Sequence, residues 1–228
     1  MHNKPVPFGC DFYDVDRTII NGTTGVQSLF TAIGLGILPV RILYTIPKLL
    51  WQYNYSTFDT RTAAKYFRDL AGVKRSDLVT IGEVNFSSRV RPKIFRKAAE
   101  CIAERRALGR TAVFLSSSFI HILRPLAEHL QVEHILANEL LLSGDRTTGF
   151  LREPFLFGDE KKHQALAFMK ARNCPPGSCS FFTDSIHDHP LLEVIGEPVA
   201  VNPDRRLRKL AMERGWRIER FRELDAVR

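Results

Sequence analysis

Asp11-Phe12-Tyr13-Asp14-Val15-Asp16-Arg17-Thr18-Ile19-Ile20 reads as a buried strand that ends in a pair of carboxylates. The apolar lead-in suits a strand, and Asp14, Asp16 and Thr18 fall at alternating positions just where it should stop. Two carboxylates two residues apart repel each other unless a cation or a shared proton holds them, so the stretch implies a metal or a perturbed pKa. A turn or a helix N-cap is the plainer alternative, because Asp and Thr are ordinary capping residues.

Downstream, after an Asn21-Gly22 turn, residues 26–106 read as helix after helix. Amphipathic segments are expected at 60–70 and 75–86, and a stronger helix at 92–108 carries Ile94, Ala98, Cys101 and Ile102 on one face and stops at Gly109. From residue 111 strands and helices alternate, the mark of a parallel sheet. Strands are expected at 111–115, 180–183 and 198–201, with an edge strand at 216–221. Helices are expected at 119–130, 159–172, 188–194 and 203–214, and an antiparallel excursion at 134–142 and 147–151. In such sheets ligands bind beyond the carboxyl ends of the strands, where Asp14, Ser116 and Asp184 would sit.

The 228 residues, 44% of them apolar, suffice for a real core. A formal charge of +8 suits an anionic partner, yet the basic residues are spread along the chain as solvated helix faces would spread them, so no nucleic acid is expected. Cys10, Cys101, Cys174 and Cys179 have no C-x-x-C spacing, and reduced thiols in a cytoplasmic protein are the expectation. Cys174 and Cys179 bracket Pro175-Pro176-Gly177, open to reading as a redox pair, a metal clip or a plain turn. Residues 26–55 are apolar, with Trp51, Tyr53 and Tyr55 among them. Pro39, Arg41, Pro47 and Lys48 interrupt them well short of the roughly 20 apolar residues of a bilayer span. They leave two readings, a packed cap or a peripheral contact with the inner membrane face. Nothing marks an oligomeric state.

Asp14 and Asp16, Ser116 with Ser117, a lysine of the Lys161/Lys162 pair, and Asp184 with Asp188 are the residue types that handle a phosphate monoester. A phosphoryl dianion repels an attacking carboxylate, so a hard divalent cation, Mg²⁺, is expected between them. Ser116 and the N–H groups after it suit phosphate oxygens, and a lysine at a helix start adds a point charge. Asp14 is then the nucleophile and Asp16 the general acid, later the base.

In these motifs the chain resembles the haloacid dehalogenase superfamily, and within it the phosphoserine-phosphatase-like hydrolases of subfamily IB. Asp14-Val15-Asp16-Arg17-Thr18 resembles the family's first motif, Val113 to Ser116 its second, Lys162, four residues before Leu166, its third, and Asp184 to Asp188 its fourth. The resemblance implies an α/β fold, with a Rossmann-like parallel-sheet core at 1–21 and 107–228 and an inserted helical cap of C1 type at 22–106. It implies Mg²⁺-dependent phosphoryl transfer through Asp14. The implied metal ligands are Asp14, the backbone carbonyl of Asp16, and Asp184, supported by Asp188, and Ser116, Ser117 and Lys162 are the implied phosphate binders. The family's phosphoserine phosphatases carry a Glu nine residues after the nucleophile to read the substrate ammonium. Thr23 stands there in this chain, which speaks against phosphoserine, and the apolar cap suggests a lipid phosphate beside a small metabolite phosphate. A non-catalytic phosphate- or lipid-binding protein, an interaction module working through the cap, and a phosphotransferase are the alternatives.

Overall fold

A computed structural model describes residues 9–45, 67–152 and 154–224. Pro47, Lys48, Trp51, Tyr53, Tyr55 and most of the helix expected at 60–70 lie outside these residues. In chain order the elements are β1 Cys10–Tyr13, α1 Thr24–Gly34, α2 Arg75–Asn85, α3 Arg96–Ala107, β2 Thr111–Phe119, α4 Ile120–His129, β3 His134–Asn138, β4 Leu140–Ser143 and β5 Arg146–Leu151. They continue with α5 Asp159–Ala171, β6 Ser180–Thr183, α6 His189–Leu192, β7 Glu197–Val201, α7 Arg205–Arg214 and β8 Arg217–Glu219.

Six strands form one parallel sheet in the order β3-β2-β1-β6-β7-β8. β1 is central, with Phe12 opposite Val113 on one side and Phe181 on the other. Because successive side chains on a strand face opposite ways, each neighbouring pair divides between two cores. Tyr13, Phe114 and Phe182 pack with Ala98 and Ile102 of α3 and Leu123 and Leu126 of α4. Phe12, Val113 and Phe181 pack with Ala165 and Met169 of α5 and with Leu207 and Ala211 of α7. The chain leaves β1 toward β2 and β3 and returns to β6 on the other side of β1. The switch point between β1 and β6 is where a parallel sheet opens a crevice at its carboxyl edge.

A third apolar cluster lies apart from the sheet and joins Ala32 of α1, Leu38, Ile42, Val73, and Leu78 and Ile81 of α2. It docks on the sheet layer through α2 and α4, at Gly82, where an added Cβ would sit 2.1 Å from the His121 carbonyl oxygen. Among the described residues no helix is long and apolar enough to cross a membrane.

The first strand ends at Tyr13, directly before the first carboxylate, and the chain then turns back on Val15, whose carbonyl accepts the N–H groups of Ile19 and Ile20. Three expected elements differ. β2 runs on through the serines to Phe119, with a register irregularity against β3 between Ser116 and Phe119. Pro92 sits in a separate 3₁₀ turn, Arg91–Lys93, before α3. Residues 134–142 are not one arm of an excursion: β3 joins the main sheet, and only β4 and β5 form an antiparallel hairpin. That hairpin belongs with the third cluster, to which it contributes Leu140 and Leu151, and the Thr147 hydroxyl accepts the Val73 N–H at 3.0 Å.

Candidate active site

The carboxyl ends of β1 and β6 place Asp14 and Asp184 on either side of the switch point, and the end of β2 adds Ser116. Asp14 donates its backbone N–H to the Phe182 carbonyl at 2.9 Å, which ties the residue after β1 to β6. Asp14, Asp16, Ser116, Ser117 and Asp184 all line one cavity of about 210 Å³. Asp188 stands behind Asp14, its Oδ2 accepting the Thr183 hydroxyl at 2.6 Å.

The lysine that reaches this cluster is Lys161, not Lys162. Lys161 Nζ donates to Asp14 Oδ1 and to Asp188 Oδ2, each at 2.9 Å, and is 3% exposed. Lys162, one residue on and therefore about 100° around the helix, is half-buried and points elsewhere. The inward face of α5 is Lys161, Ala165 and Met169, a strict four-residue spacing that the sequence displays.

Asp16 is held by a residue the sequence reading passed over. The Thr24 backbone N–H and hydroxyl both lie on Asp16 Oδ1, at 2.8 and 2.7 Å, and the same hydroxyl lies 2.8 Å from Ser118 Oγ. Thr24 is the first residue of α1, so the carboxylate sits at a helix N-terminus, where the dipole favours it. The capping and functional readings of Asp16 thus describe the same contact. Ser116 Oγ accepts the Ser118 N–H at 3.2 Å, and the Ser117 carbonyl accepts from Asn138 Nδ2 at 2.7 Å, which fixes the irregular end of β2. His187, which flanks the acids in sequence, packs against Phe157 with ring centroids 4.9 Å apart and the rings tilted by 43°.

Burial pushes Asp14 up to about 7, with Lys161 opposing and the charges of Asp188 and Asp16 adding. Burial also raises Asp184 well above the carboxylate range, with the Asp14 charge adding and Arg17 opposing. Asp16 is raised by desolvation against the two Thr24 hydrogen bonds. Among the described residues, four carboxylates here face two cations, Lys161 and Arg17. The surplus is what a divalent cation neutralises, and the donors are the hard oxygens that Mg²⁺ takes. The residues fit that ion.

Away from the acids the cavity wall is largely apolar, with Leu29, Leu38, Ile42 and Leu78 of the third cluster, Val26 and Phe155 beside them, and Ser28 and His121 as polar members. The acidic side chains among the described lining residues are Asp14, Asp16 and Asp184, all at the sheet end.

A family model described as haloacid dehalogenase-like hydrolase matches residues 12–193. A probable phosphatase of Mycobacterium tuberculosis is 28% identical over 214 residues, covering 92% of this chain and 74% of its own. A phosphoserine phosphatase of the same organism is 28% identical over 225 residues, covering 92% and 70%. Among solved structures, a protein of unknown function from Bordetella pertussis superposes with a TM-score of 0.82 at 22% identity, covering 92% of this chain and 97% of that one. At these identities the structural likeness establishes the fold.

Proposed function

This chain belongs to the haloacid dehalogenase-like hydrolases, and from that membership we propose that it is a Mg²⁺-dependent phosphomonoester hydrolase working through an aspartyl phosphate on Asp14, with an apolar leaving group as its substrate's other half. The observation that carries the reading is the convergence of Asp14, Asp16, Ser116 and Asp184 on one cavity whose far wall is largely apolar, with Lys161 bonded to Asp14. The third apolar cluster, built around α1 and α2 with the β4–β5 hairpin, acts as the cap that supplies much of that wall.

In the proposed reaction an Asp14 oxygen attacks phosphorus, the O–P bond forms, and the bond to the leaving oxygen breaks as Asp16 gives that oxygen its proton. Water then attacks the phosphoenzyme, Asp16 takes the proton, and the Asp14–phosphorus bond breaks to release phosphate. Thr24 keeps the Asp16 carboxyl aimed, and its raised pKa suits a group that must hold a proton before giving it up. Lys161 bridges Asp14 and Asp188, so it both orients the nucleophile and places a positive charge beside the transferring group. Ser116 is placed to take a phosphate oxygen. Asp14, Asp184 and the Asp16 carbonyl would hold the Mg²⁺, with Asp188 behind them, and the ion when bound offsets the negative charge of carboxylates and phosphate.

An ammonium-bearing leaving group would find no carboxylate in the described cap wall, and Thr23 lines the cavity where a phosphoserine reader would need a Glu. An apolar leaving group gains about 0.8 kcal/mol for each methylene buried, or about fourfold per carbon. The kcat/KM for n-alkyl phosphates, measured below their aggregation limits, is therefore expected to rise by about 10²-fold between ethyl and hexyl and to exceed that for phosphoserine. EDTA is expected to abolish turnover and Mg²⁺ to restore it. A flat chain-length series with phosphoserine preferred would overturn the apolar substrate, and turnover that survives EDTA would overturn the metal dependence.

The two lysines give a separate check. Lys161→Ala is expected to lower kcat/KM by about 10²–10³-fold, as loss of a buried charge at the reacting group does. Lys162→Ala is expected to stay within about twofold, as a change off the site does. The reverse ranking would return the role to Lys162.

A further inference from the structure

Cys10, Cys174 and Cys179 meet at the opposite end of the same two strands. Cys10 opens β1, Cys179 immediately precedes β6, and Cys174 follows the end of α5. Their sulfurs all lie within 4.8 Å of one another, Cys174 Sγ and Cys179 Sγ at 3.3 Å, and the residues are 2%, 6% and 1% exposed. Asp14 is four residues further along from Cys10, about 13 Å at the rise of a strand, so this cluster is separate from the carboxylates.

We infer that Cys10, Cys174 and Cys179 form a second cation site, a sulfur-only site for one thiophilic d¹⁰ ion of the Zn²⁺ or Cu⁺ kind.

Three features support it. The first is donor chemistry: thiolates select soft ions, whereas Mg²⁺ takes oxygen, so the two sites do not compete for one metal. The second is geometry. At a metal–sulfur distance of about 2.3 Å, three sulfurs around one ion stand about 3.8–4.0 Å apart, so the triad needs the closest pair to open by about half an ångström. The third is rigidity, because the loop that carries two of the ligands is already fixed. The Cys174 N–H donates to the Met169 carbonyl at 2.9 Å, the Cys179 N–H to Pro176 at 3.0 Å, and Gly196 to Pro176 at 2.9 Å. Ser178 lies so close to the start of β1 that a Cβ at Gly9 would be 2.1 Å from its carbonyl oxygen, which brings Cys10 into the same cluster. Buried thiols serve elsewhere as small apolar side chains, but here three of them, though set in an apolar core, bring their sulfurs together. An ion would clamp β1, β6 and the end of α5, the helix whose other end carries Lys161.

The test is equilibrium dialysis of the reduced full chain against Cd²⁺, and separately Zn²⁺, in excess Mg²⁺, with bound metal counted per chain and the Cd²⁺–thiolate charge-transfer absorption recorded. One ion per chain is expected, lost in Cys174→Ser and in Cys10→Ala but retained in Cys101→Ser and in Asp14→Asn. Zn²⁺ is expected to raise the melting temperature of the wild type and not of Cys174→Ser. Should a cysteine variant fail to fold, Cd²⁺ protection of the three thiols from alkylation, mapped by mass spectrometry on the unaltered chain, gives the same answer. A folded, reduced chain that binds no Cd²⁺ overturns the inference. So does binding that survives Cys174→Ser, or that disappears with Asp14→Asn, or a triad whose sole reaction is a Cys174–Cys179 disulfide formed by added peroxide.

Discussion

Replacing Asp14 by asparagine is expected to lower kcat/KM for phosphate monoesters by on the order of 10⁴–10⁶-fold, the range over which loss of a covalent nucleophile is felt. Asparagine keeps the size of the side chain and can still accept a hydrogen bond from Lys161, so the loss would report the missing attacking oxygen rather than a collapsed site. Stability provides the control. Asp14 is one of three buried carboxylates at the site, with Asp184 and Asp188, and its charge works against that of Asp184. Taking one charge out of the group relieves repulsion, so the metal-free variant should melt at or above the wild type. In Mg²⁺ the order should narrow or reverse, because the wild type gains more from the ion. Activity would be followed by phosphate release, and the phosphoenzyme by acid quench of labelled substrate, where the wild type should trap label on residue 14 and the variant should not. A variant that keeps more than about one part in a hundred of the activity would remove Asp14 from the role of nucleophile. A variant that loses activity and stability together would leave the chemistry unassigned to it.

The parts of the site that could be read without the structure are those fixed by strand ends. Asp14, Ser116 and Asp184 each follow a run of apolar residues that fills a strand buried on both faces, and a parallel sheet brings the ends of such strands to one edge. What escaped the sequence depends on rotation and on partners far along the chain. Lys161 and Lys162 differ by one step around a helix, and the four-residue rhythm through Ala165 and Met169 shows the inward face only once the helix is known to pack on the sheet. β3 and the β4–β5 hairpin are adjacent in sequence with similar apolar content, yet one joins a parallel neighbour and the other folds on itself, because β2 offers an open edge to the first alone. Thr24 looks like an ordinary helix-start residue, and its grip on Asp16 appears only when α1 meets the turn after β1. The cysteine triad joins residue 10 to residues 174 and 179, a separation that no spacing rule covers.

Asp11 is the sharpest case of a residue whose type misleads, and it carries the other large expected effect. It stands three residues before Asp14, but it lies within the central strand of the sheet and is 1% exposed. Arg105 Nε donates to Asp11 Oδ2 at 2.7 Å, and Arg110 Nη2 donates to Asp11 Oδ1 at 2.6 Å. Arg105 Nη2 also donates to Glu197 Oε2 at 2.7 Å, and the Ser180 hydroxyl donates to the same oxygen at 2.6 Å. Burial works against the Glu197 charge, but the hydrogen bonds from Arg105 and Ser180 win and hold that carboxyl below its usual range. Arg217 Nη1 donates to the other Glu197 oxygen at 3.1 Å, so Glu197 is shared between Arg105 and Arg217, and the network ties α3 and the end of its loop to β1, β6, β7 and β8. Asp11→Asn removes one anion and leaves Arg105 and Arg110, both nearly inaccessible, without the carboxylate that both of them bond. Breaking a buried pair from one side costs about 3–5 kcal/mol, so a fall of that size in unfolding free energy is expected from denaturant melts, with kcat/KM of the still-folded fraction unchanged. The same reasoning makes the loss repairable. Asp11→Leu combined with Arg110→Met removes one charge of each sign, and it should recover most of what Asp11→Asn loses, because apolar packing replaces a buried pair at little cost. A loss below about 1 kcal/mol for Asp11→Asn would mean that the network is hydrated and marginal. A loss of turnover at unchanged stability would move Asp11 from the frame of the sheet into the chemistry at its far edge.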